Sequence, residues 1–272
     1  MKNIALIVIT MFVLLGCAST PKRPPMNISS FSLFSTFSFG ENINKAYYDP
    51  LNEIAYAMVS GKQEIYVLKN GKNLNVIGGM GMAANNFQTL ADISIASDGG
   101  LYALDSSQKN LRKFSADGKL LSTMDLKSTS QAAAFAIGGE QIAYIWDSAA
   151  SEIISFNLLD GTEQFRFGRF QVQRISHLSA NRDFVVAYDQ ATNISTVFSS
   201  MGQLIGIEEG QILYDGYNNA ISMTSNGLIS KMSPAFLPLS EGYGIVTISR
   251  NVLSLVMGTE VRVLRLDYEQ VP

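Results

Sequence analysis

Three aspartates recur at a fixed interval, and they are the residues of this sequence that most invite a chemical role. Asp105, Asp147 and Asp189 each close an apolar run, and successive members lie 42 residues apart. Three carboxylates in one ring would offer the oxygen ligands that a hard metal cation needs. The alternative is that each carboxylate accepts backbone N–H groups in a turn between two strands. The turn role is favoured, so the sequence assigns no metal-binding, catalytic or cofactor-binding residue.

The single histidine and the single cysteine restrict the remaining chemistry. His177 could act as a general base, but it lies in QRISHLSANRDF at an apparent inner-strand position. A packed or hydrogen-bonded histidine is therefore favoured, and any site that needs several histidines is excluded. Cys17 is the chain's one cysteine. No disulfide, thiolate metal site or cysteine nucleophile is possible after it.

The elements that carry the aspartates are short strands separated by turns. Between Leu90 and Leu121, three runs with alternating apolar residues are separated by Asp98-Gly99-Gly100 and Asp105-Ser106-Ser107, and a fourth run follows Asp117-Gly118-Lys119. This pattern is typical of a four-stranded antiparallel meander. One such sheet cannot bury its apolar faces alone, so the unit has to recur.

The unit recurs with a period of about 42 residues, which predicts an all-β protein with the β-propeller fold. The glycines of the next turn, Gly118, Gly161 and Gly202, follow in step, and a weaker copy upstream has Val59 at the aspartate position. Six four-stranded blades are predicted, with five or seven as alternatives because the repeat fades after Gly210. The predicted units run approximately over 47–77, 90–124, 132–167, 175–207 and 211–232, with the last formed by 244–249 and the C-terminal hairpin.

A strand before the first blade is expected to close the ring. Phe31–Phe39 alternates apolar and small polar residues and carries no charge, so it has strong β propensity. We predict that it pairs within the last blade, with the hairpin of Val252–Met257 and Val261–Leu266. The alternative is an apolar strip that lies against a membrane.

One repeat resembles the NHL type of propeller blade. The resemblance extends from the glycine pair to the closing turn, on Gly78-Gly79-Met80-Gly81, Asn86-Phe87, Ala91-Asp92-Ile93, Asp98-Gly99, Leu101-Tyr102-Ala103-Leu104-Asp105, Leu111-Arg112-Lys113-Phe114 and Asp117-Gly118-Lys119. It implies that the glycine cluster is an inter-blade loop. A phosphate-binding loop would need Lys-Ser/Thr and a helix after the glycines, and both are missing. Lyase-type relatives depend on several histidines, which this chain does not have.

The N-terminus reads as a targeting signal. Ile4 to Leu15 is apolar except for Thr10 and is too short to span a bilayer, as expected for a signal peptide. Leu14-Leu15-Gly16-Cys17 resembles a bacterial lipobox, which implies a signal peptide over 1–16 and a diacylglycerol, with palmitate-type chains, on Cys17. Residues 17–30 are then a Pro-rich tether and 31–272 the propeller. By resemblance, Ala18 implies sorting to the outer membrane, facing the periplasm, in an organism that has one.

Composition and charge bear on the partners. Charged residues are 16 % of the chain and the net charge is −3, so the sequence lacks the basic footprint of a nucleic-acid-binding protein. No cofactor is expected beyond the covalent lipid. The expected function is a membrane-anchored binding or scaffolding module for another envelope protein. The alternatives are a small-ligand binder or a lactonase- or lyase-type enzyme with its site at the central channel, and a structural remnant without activity.

Overall fold

A computed structural model of the protein describes residues 25–80, 83, 85–139, 141–239 and 243–271. In this part of the chain, 24 strands form six four-stranded antiparallel sheets. The predicted all-β class and the six-bladed propeller are confirmed. Cys17, the signal peptide and the tether up to residue 24 lie outside the described residues.

The blades follow the chain in order. Blade 1 consists of β2 (Ile43–Asp49), β3 (Ile54–Val59), β4 (Glu64–Lys69) and β5 (Lys72–Gly78). Blade 2 consists of β6 (Leu90–Ile95), β7 (Leu101–Asp105), β8 (Asn110–Phe114) and β9 (Leu120–Asp125). Blade 3 consists of β10 (Ala132–Ile137), β11 (Ile142–Asp147), β12 (Glu152–Asn157) and β13 (Glu163–Phe167).

The second half repeats this pattern and ends with a composite blade. Blade 4 consists of β14 (His177–Ala180), β15 (Phe184–Asp189), β16 (Ile194–Ser199) and β17 (Leu204–Glu209). Blade 5 consists of β18 (Gln211–Tyr214), β19 (Ala220–Thr224), β20 (Gly227–Ser230) and β21 (Phe236–Pro238). Blade 6 consists of β22 (Val246–Ser249), β23 (Val252–Met257), β24 (Glu260–Gln270) and, as its outermost strand, β1 (Met26–Ser38).

The first strand of each blade lies at the centre of the ring. β2, β6, β10, β14, β18 and β22 contact one another in this order, and β22 contacts β2 again. The fourth strands are mostly exposed and form the rim. Because the strands alternate in direction, the turns after the first and third strands lie on one face of the ring. The turns after the second strands and the loops between blades lie on the other.

The ring is closed by pairing the two ends of the chain, as predicted. β1 pairs antiparallel with β24, with Phe31 opposite Leu266 and Phe37 opposite Val261. The strand begins at Met26 rather than at Phe31, because Ile28 is also buried in the apolar cluster shared by blades 5 and 6. Leu33 and Phe34 remain exposed on its outer side.

Neighbouring blades pack through apolar and aromatic side chains. Between blades 3 and 4, the ring of Phe167 lies 6.0 Å from that of Tyr144 and 5.1 Å from that of Phe198. Gly202 covers this cluster with a positive φ of 80°, and a Cβ there would lie 2.6 Å from the ring of Phe167. One of the repeating turn glycines is thus required both by its backbone conformation and by the packing between blades.

Candidate functional site

The centre of the ring carries a set of structurally equivalent residues on successive inner strands. Each lies opposite the residue that precedes the repeated aspartate position. In chain order they are Lys45 opposite Met58, Asp92 opposite Leu104, Ala134 opposite Trp146 and His177 opposite Tyr188. Their exposed fractions are 3, 4, 3 and 1 %. The strand register therefore gathers a cation, an anion, a methyl group and an imidazole around the axis.

Lys45 and Asp92 form a buried ion pair between blades 1 and 2. Lys45 Nζ donates to Asp92 Oδ1 at 2.7 Å. The same carboxylate accepts the backbone N–H of Ile93 at 2.8 Å and, from blade 3, that of Phe135 at 2.9 Å. A buried charge is tolerated when it is paired and hydrogen-bonded in this way. The pair therefore links three blades at the axis.

Burial and pairing act in opposite directions on these two groups. Burial raises the pKa of Asp92, and the Lys45 ammonium and the two backbone donors offset part of that rise. Burial alone would lower the pKa of Lys45, but Asp92 and the Tyr47 hydroxyl raise it above its usual value. The attraction between the partners keeps the ammonium charged.

Polar side chains also link the inner strands on the other side of the axis. The Gln211 amide donates to the carbonyl of Val246 at 2.7 Å and accepts its N–H at 3.0 Å. The Thr247 hydroxyl donates to the carbonyl of Ala46. Gln211 and Thr247 are exposed by 2 % and 1 %. The axis at this level is filled by side chains that bond one another, so they offer no open surface to a ligand.

His177 lies at this level without a hydrogen-bond partner for either ring nitrogen among the described residues. Burial, and to a smaller extent the Lys45 ammonium, lower its pKa well below the usual value. The predicted inner-strand position is confirmed, and the imidazole is packed rather than hydrogen-bonded. A general base must reach the proton that it removes, and a side chain exposed by 1 % cannot do so in this conformation.

The buried imidazole predicts a pH dependence of stability. Below about pH 6.5 the unfolded chain binds a proton at His177 and the folded chain does not, so the unfolding free energy falls as the pH falls. The expected loss at pH 5.5 relative to pH 7.5 is about 1.4 kcal/mol from this group. Urea unfolding of the wild type and of His177→Leu at both pH values isolates it. A pH dependence that is the same in both proteins would contradict the prediction.

The repeated aspartates bind backbone N–H groups, as the turn interpretation predicted. Asp105 accepts the N–H groups of Gln88, Thr89 and Gln108 at 2.8 to 3.2 Å. Asp147 makes the equivalent bonds to Ser130 and Gln131 and adds those of Ala149 and Ala150. Both are fully buried. Each carboxylate thus fixes the loop from the preceding blade to the turn of its own blade.

Asp189 occupies the same position with a weaker role. It accepts the N–H of Ala191 at 2.9 Å, and the inter-blade contact is made instead by the Ser176 hydroxyl, which accepts the N–H of Gln190. Among the described residues, no group of three or more His, Cys, Asp or Glu side chains is arranged to hold a metal ion.

This difference between equivalent aspartates predicts unequal mutational effects. Asp147→Asn is expected to cost about 2 kcal/mol of unfolding free energy, because an amide NH₂ replaces an acceptor that binds buried donors. Asp189→Asn is expected to cost less than about 0.5 kcal/mol, because it loses one partly exposed bond. Urea unfolding of the two variants measures both values. Equal losses would show that the two aspartates do not differ as described.

The glycine cluster lies between blades 1 and 2, in agreement with the predicted inter-blade loop. Gly78 ends β5 with a φ of 94°, and a Cβ there would lie 2.4 Å from the carbonyl oxygen of Gln63 and 2.6 Å from the ring of Phe87. The glycine therefore allows the loop to pass over a buried aromatic ring. Its role is structural.

Exposed apolar side chains occur on the loops and on the rim. Met80, between blades 1 and 2, and Phe170, between blades 3 and 4, lie on the same face of the ring and are 89 % and 92 % exposed. Exposed large apolar side chains on loops are a feature of interaction surfaces. The sequence analysis did not single out these two residues or the Lys45–Asp92 pair.

Comparison with known proteins agrees with this architecture. A family model described as a 6-bladed beta-propeller (DUF5128) matches residues 57–207, which is more than half of the chain. The chain belongs to this family. No curated protein sequence matches this six-bladed propeller. Within the described residues, no helix has the length and apolar character of a membrane span.

Solved structures share the fold of this six-bladed propeller at low sequence identity. The RRP9 WD40 repeats superpose with a TM-score of 0.58 at 13 % identity, and U3-55K with 0.55 at 14 %; each match covers 86 % of this chain and 78 % of the other. The Neurospora crassa Pan2 WD40 domain gives 0.54 at 10 % identity, covering 91 % and 99 %. These likenesses show the fold alone.

Proposed function

We propose that this six-bladed propeller is a lipid-anchored, extracytoplasmic binding module that holds another protein of the bacterial envelope. The observation that carries the proposal is the contrast between the axis and the outer surface. Lys45, Asp92, His177 and Gln211 are almost completely buried at the axis, whereas Met80 and Phe170 are almost completely exposed on the loops. A rigid ring with a closed centre and apolar loops is suited to protein binding rather than to catalysis at a channel.

The position of the first described residue supports an anchor at the N-terminus. Val271 donates its N–H to the carbonyl of Pro25 at 3.2 Å, so the chain enters the fold beside the rim of blade 6. A tether from a lipidated Cys17 would hold the ring by its edge and leave the loop face free. Two or more acyl chains give a stable membrane anchor. In an organism with an outer membrane, the proposed location is its periplasmic side.

Crosslinking in the producing cell tests the proposal. The wild type should incorporate an alkyne-labelled fatty acid and yield a reproducible envelope protein after crosslinking and mass spectrometry. Cys17→Ser should lose the label. A Met80→Ser and Phe170→Ser double variant should lose most of the partner, whereas Leu33→Ser, which removes an exposed apolar side chain from the rim of blade 6, should retain it. An unlabelled wild type or a preparation without a partner would contradict the proposal.

A further inference from the structure

A groove runs along the rim between blades 2 and 3. It has a volume of about 570 Å³ and extends from Lys127 and Ser128 in the loop between the two blades to Leu159 and Gly161 in the turn of blade 3. We infer that this groove binds an extended segment of a partner protein in which basic and apolar residues alternate. The inference rests on the proposed function, since it assigns the partner a place on the ring.

The floor of the groove is apolar. Phe156 is buried in the cluster between the blades, and Met124 and Leu158 pack against that cluster while they line the groove. Leu159 extends the apolar surface at one end and is 72 % exposed. The volume falls in the range of about 300–1,000 Å³ that is typical of ligand-binding clefts. Apolar side chains of a bound segment can therefore be buried here.

One wall of the groove is a free strand edge. β9 is the last strand of its sheet, so one row of its backbone N–H and C=O groups does not pair within the blade. An extended segment can add to such an edge as a further strand. Natural edge strands are often protected by lysine or proline, and β9, with the sequence LLSTMD, contains neither. By contrast, β5 begins with Lys72 and β21 ends with Pro238.

The charges around the groove select a basic segment. Its lining contains Asp125, Asp160 and Glu163 against one cation, Lys127. Glu163 is neutralised by Arg166, whose Nε lies 2.6 Å from its carboxylate. Neither Asp125 nor Asp160 has an ion-pair partner among the described residues. The N–H and hydroxyl groups of Thr162 lower the pKa of Asp160, so its carboxylate stays charged at neutral pH.

The test is the binding of a defined peptide to the soluble part of the chain. The probe is a fluorescein-labelled, eight-residue peptide of alternating lysine and valine, and its control has glutamate in place of lysine. Fluorescence anisotropy at low salt should show saturable binding of the lysine peptide. The D125N/D160N double variant should weaken binding about tenfold. The matched variant E260Q/E269Q, which removes two exposed carboxylates from blade 6, should change it less than about twofold.

A second pair of variants tests the place of binding by shape. Thr123→Trp fills the groove from an exposed position on β9, and Thr36→Trp puts the same side chain on the outermost strand of blade 6. Only Thr123→Trp should abolish peptide binding, with both proteins folded by circular dichroism. The inference is overturned if the lysine peptide does not bind, or if it binds equally to both variants. If Thr123→Trp still crosslinks to the envelope partner, the groove assignment fails and the proposed function stands.

Discussion

A chain that lacks β1 is expected to lose cooperative folding. β1 supplies the fourth strand of blade 6 along its whole length, and its buried residues Ile28, Phe31 and Phe37 cover the apolar face of β24. In a ring, each blade is stabilised by its two neighbours, so an open blade 6 weakens both ends of the chain at once. Urea unfolding, followed by tryptophan fluorescence and circular dichroism, is expected to show no native baseline for residues 39–272.

Point substitutions in β1 provide a finer version of the same test. Phe37→Ala is expected to cost about 3 kcal/mol of unfolding free energy, because it removes a buried ring that lies 5.7 Å from the ring of Tyr48. Leu33→Ala, on the exposed side of the same strand, is expected to cost less than about 0.5 kcal/mol. Similar values for the two variants, or full stability without β1, would show that strand pairing does not close the ring.

Breaking the Lys45–Asp92 pair is expected to have the second largest effect. Either Lys45→Met or Asp92→Asn leaves the other charge buried at the axis, and such an unpaired ion costs about 3–5 kcal/mol. The double variant leaves no charge there, and its asparagine side-chain oxygen can still accept the N–H groups of Ile93 and Phe135. We expect it to be at least about 2 kcal/mol more stable than the sum of the single losses implies.

The four proteins form a double-mutant cycle that urea unfolding at pH 7 can measure. Lys62→Met with Glu41→Gln provides the control cycle, because that pair lies at the surface with the two side chains 40 % and 43 % exposed. Its coupling energy is expected to be below about 1 kcal/mol. A coupling at Lys45 and Asp92 as small as that of the surface pair would contradict the account of the axis.

The fold could be predicted because the repeat is written in its turns. The interval of 42 residues between Asp105, Asp147 and Asp189 reflects one aspartate per blade that binds the same backbone donors, so the spacing alone gives the unit. β1 was predictable because an uncharged strand such as Phe31–Phe39 needs a partner. Blade 5 was harder to delimit, since its fourth strand has only three residues and ends at Pro238.

The axis was not predictable by the same means, because its residues occupy one position but share no residue type. Asp92 and Ala134 each lie 13 residues before an aspartate of the repeat, whereas Lys45 and His177 lie 14 before Val59 and 12 before Asp189. A search for identical residues misses such a set. Counting back from the aspartate position would have placed a lysine, an aspartate and a histidine on neighbouring inner strands.

The rim groove depends on packing between blades and left no pattern in the sequence. Met124, Phe156 and Leu158 look like ordinary strand and turn residues, and only the angle between two sheets separates them enough to leave a cleft. The exposed loop residues Met80 and Phe170 were missed because an apolar residue in a loop does not reveal its exposure.

Chemical modification of His177 tests the closed axis most directly. It is the chain's only histidine, so diethyl pyrocarbonate labelling, located by mass spectrometry, reports a single imidazole. The reagent reacts with neutral imidazole, and His177 is neutral at pH 7 because burial lowers its pKa; slow labelling would therefore reflect burial. We expect labelling at least about 100-fold slower in the native protein than in urea. Labelling of the native protein as fast as that of the unfolded chain would mean that the axis is open, and a channel-centred activity would replace the binding role.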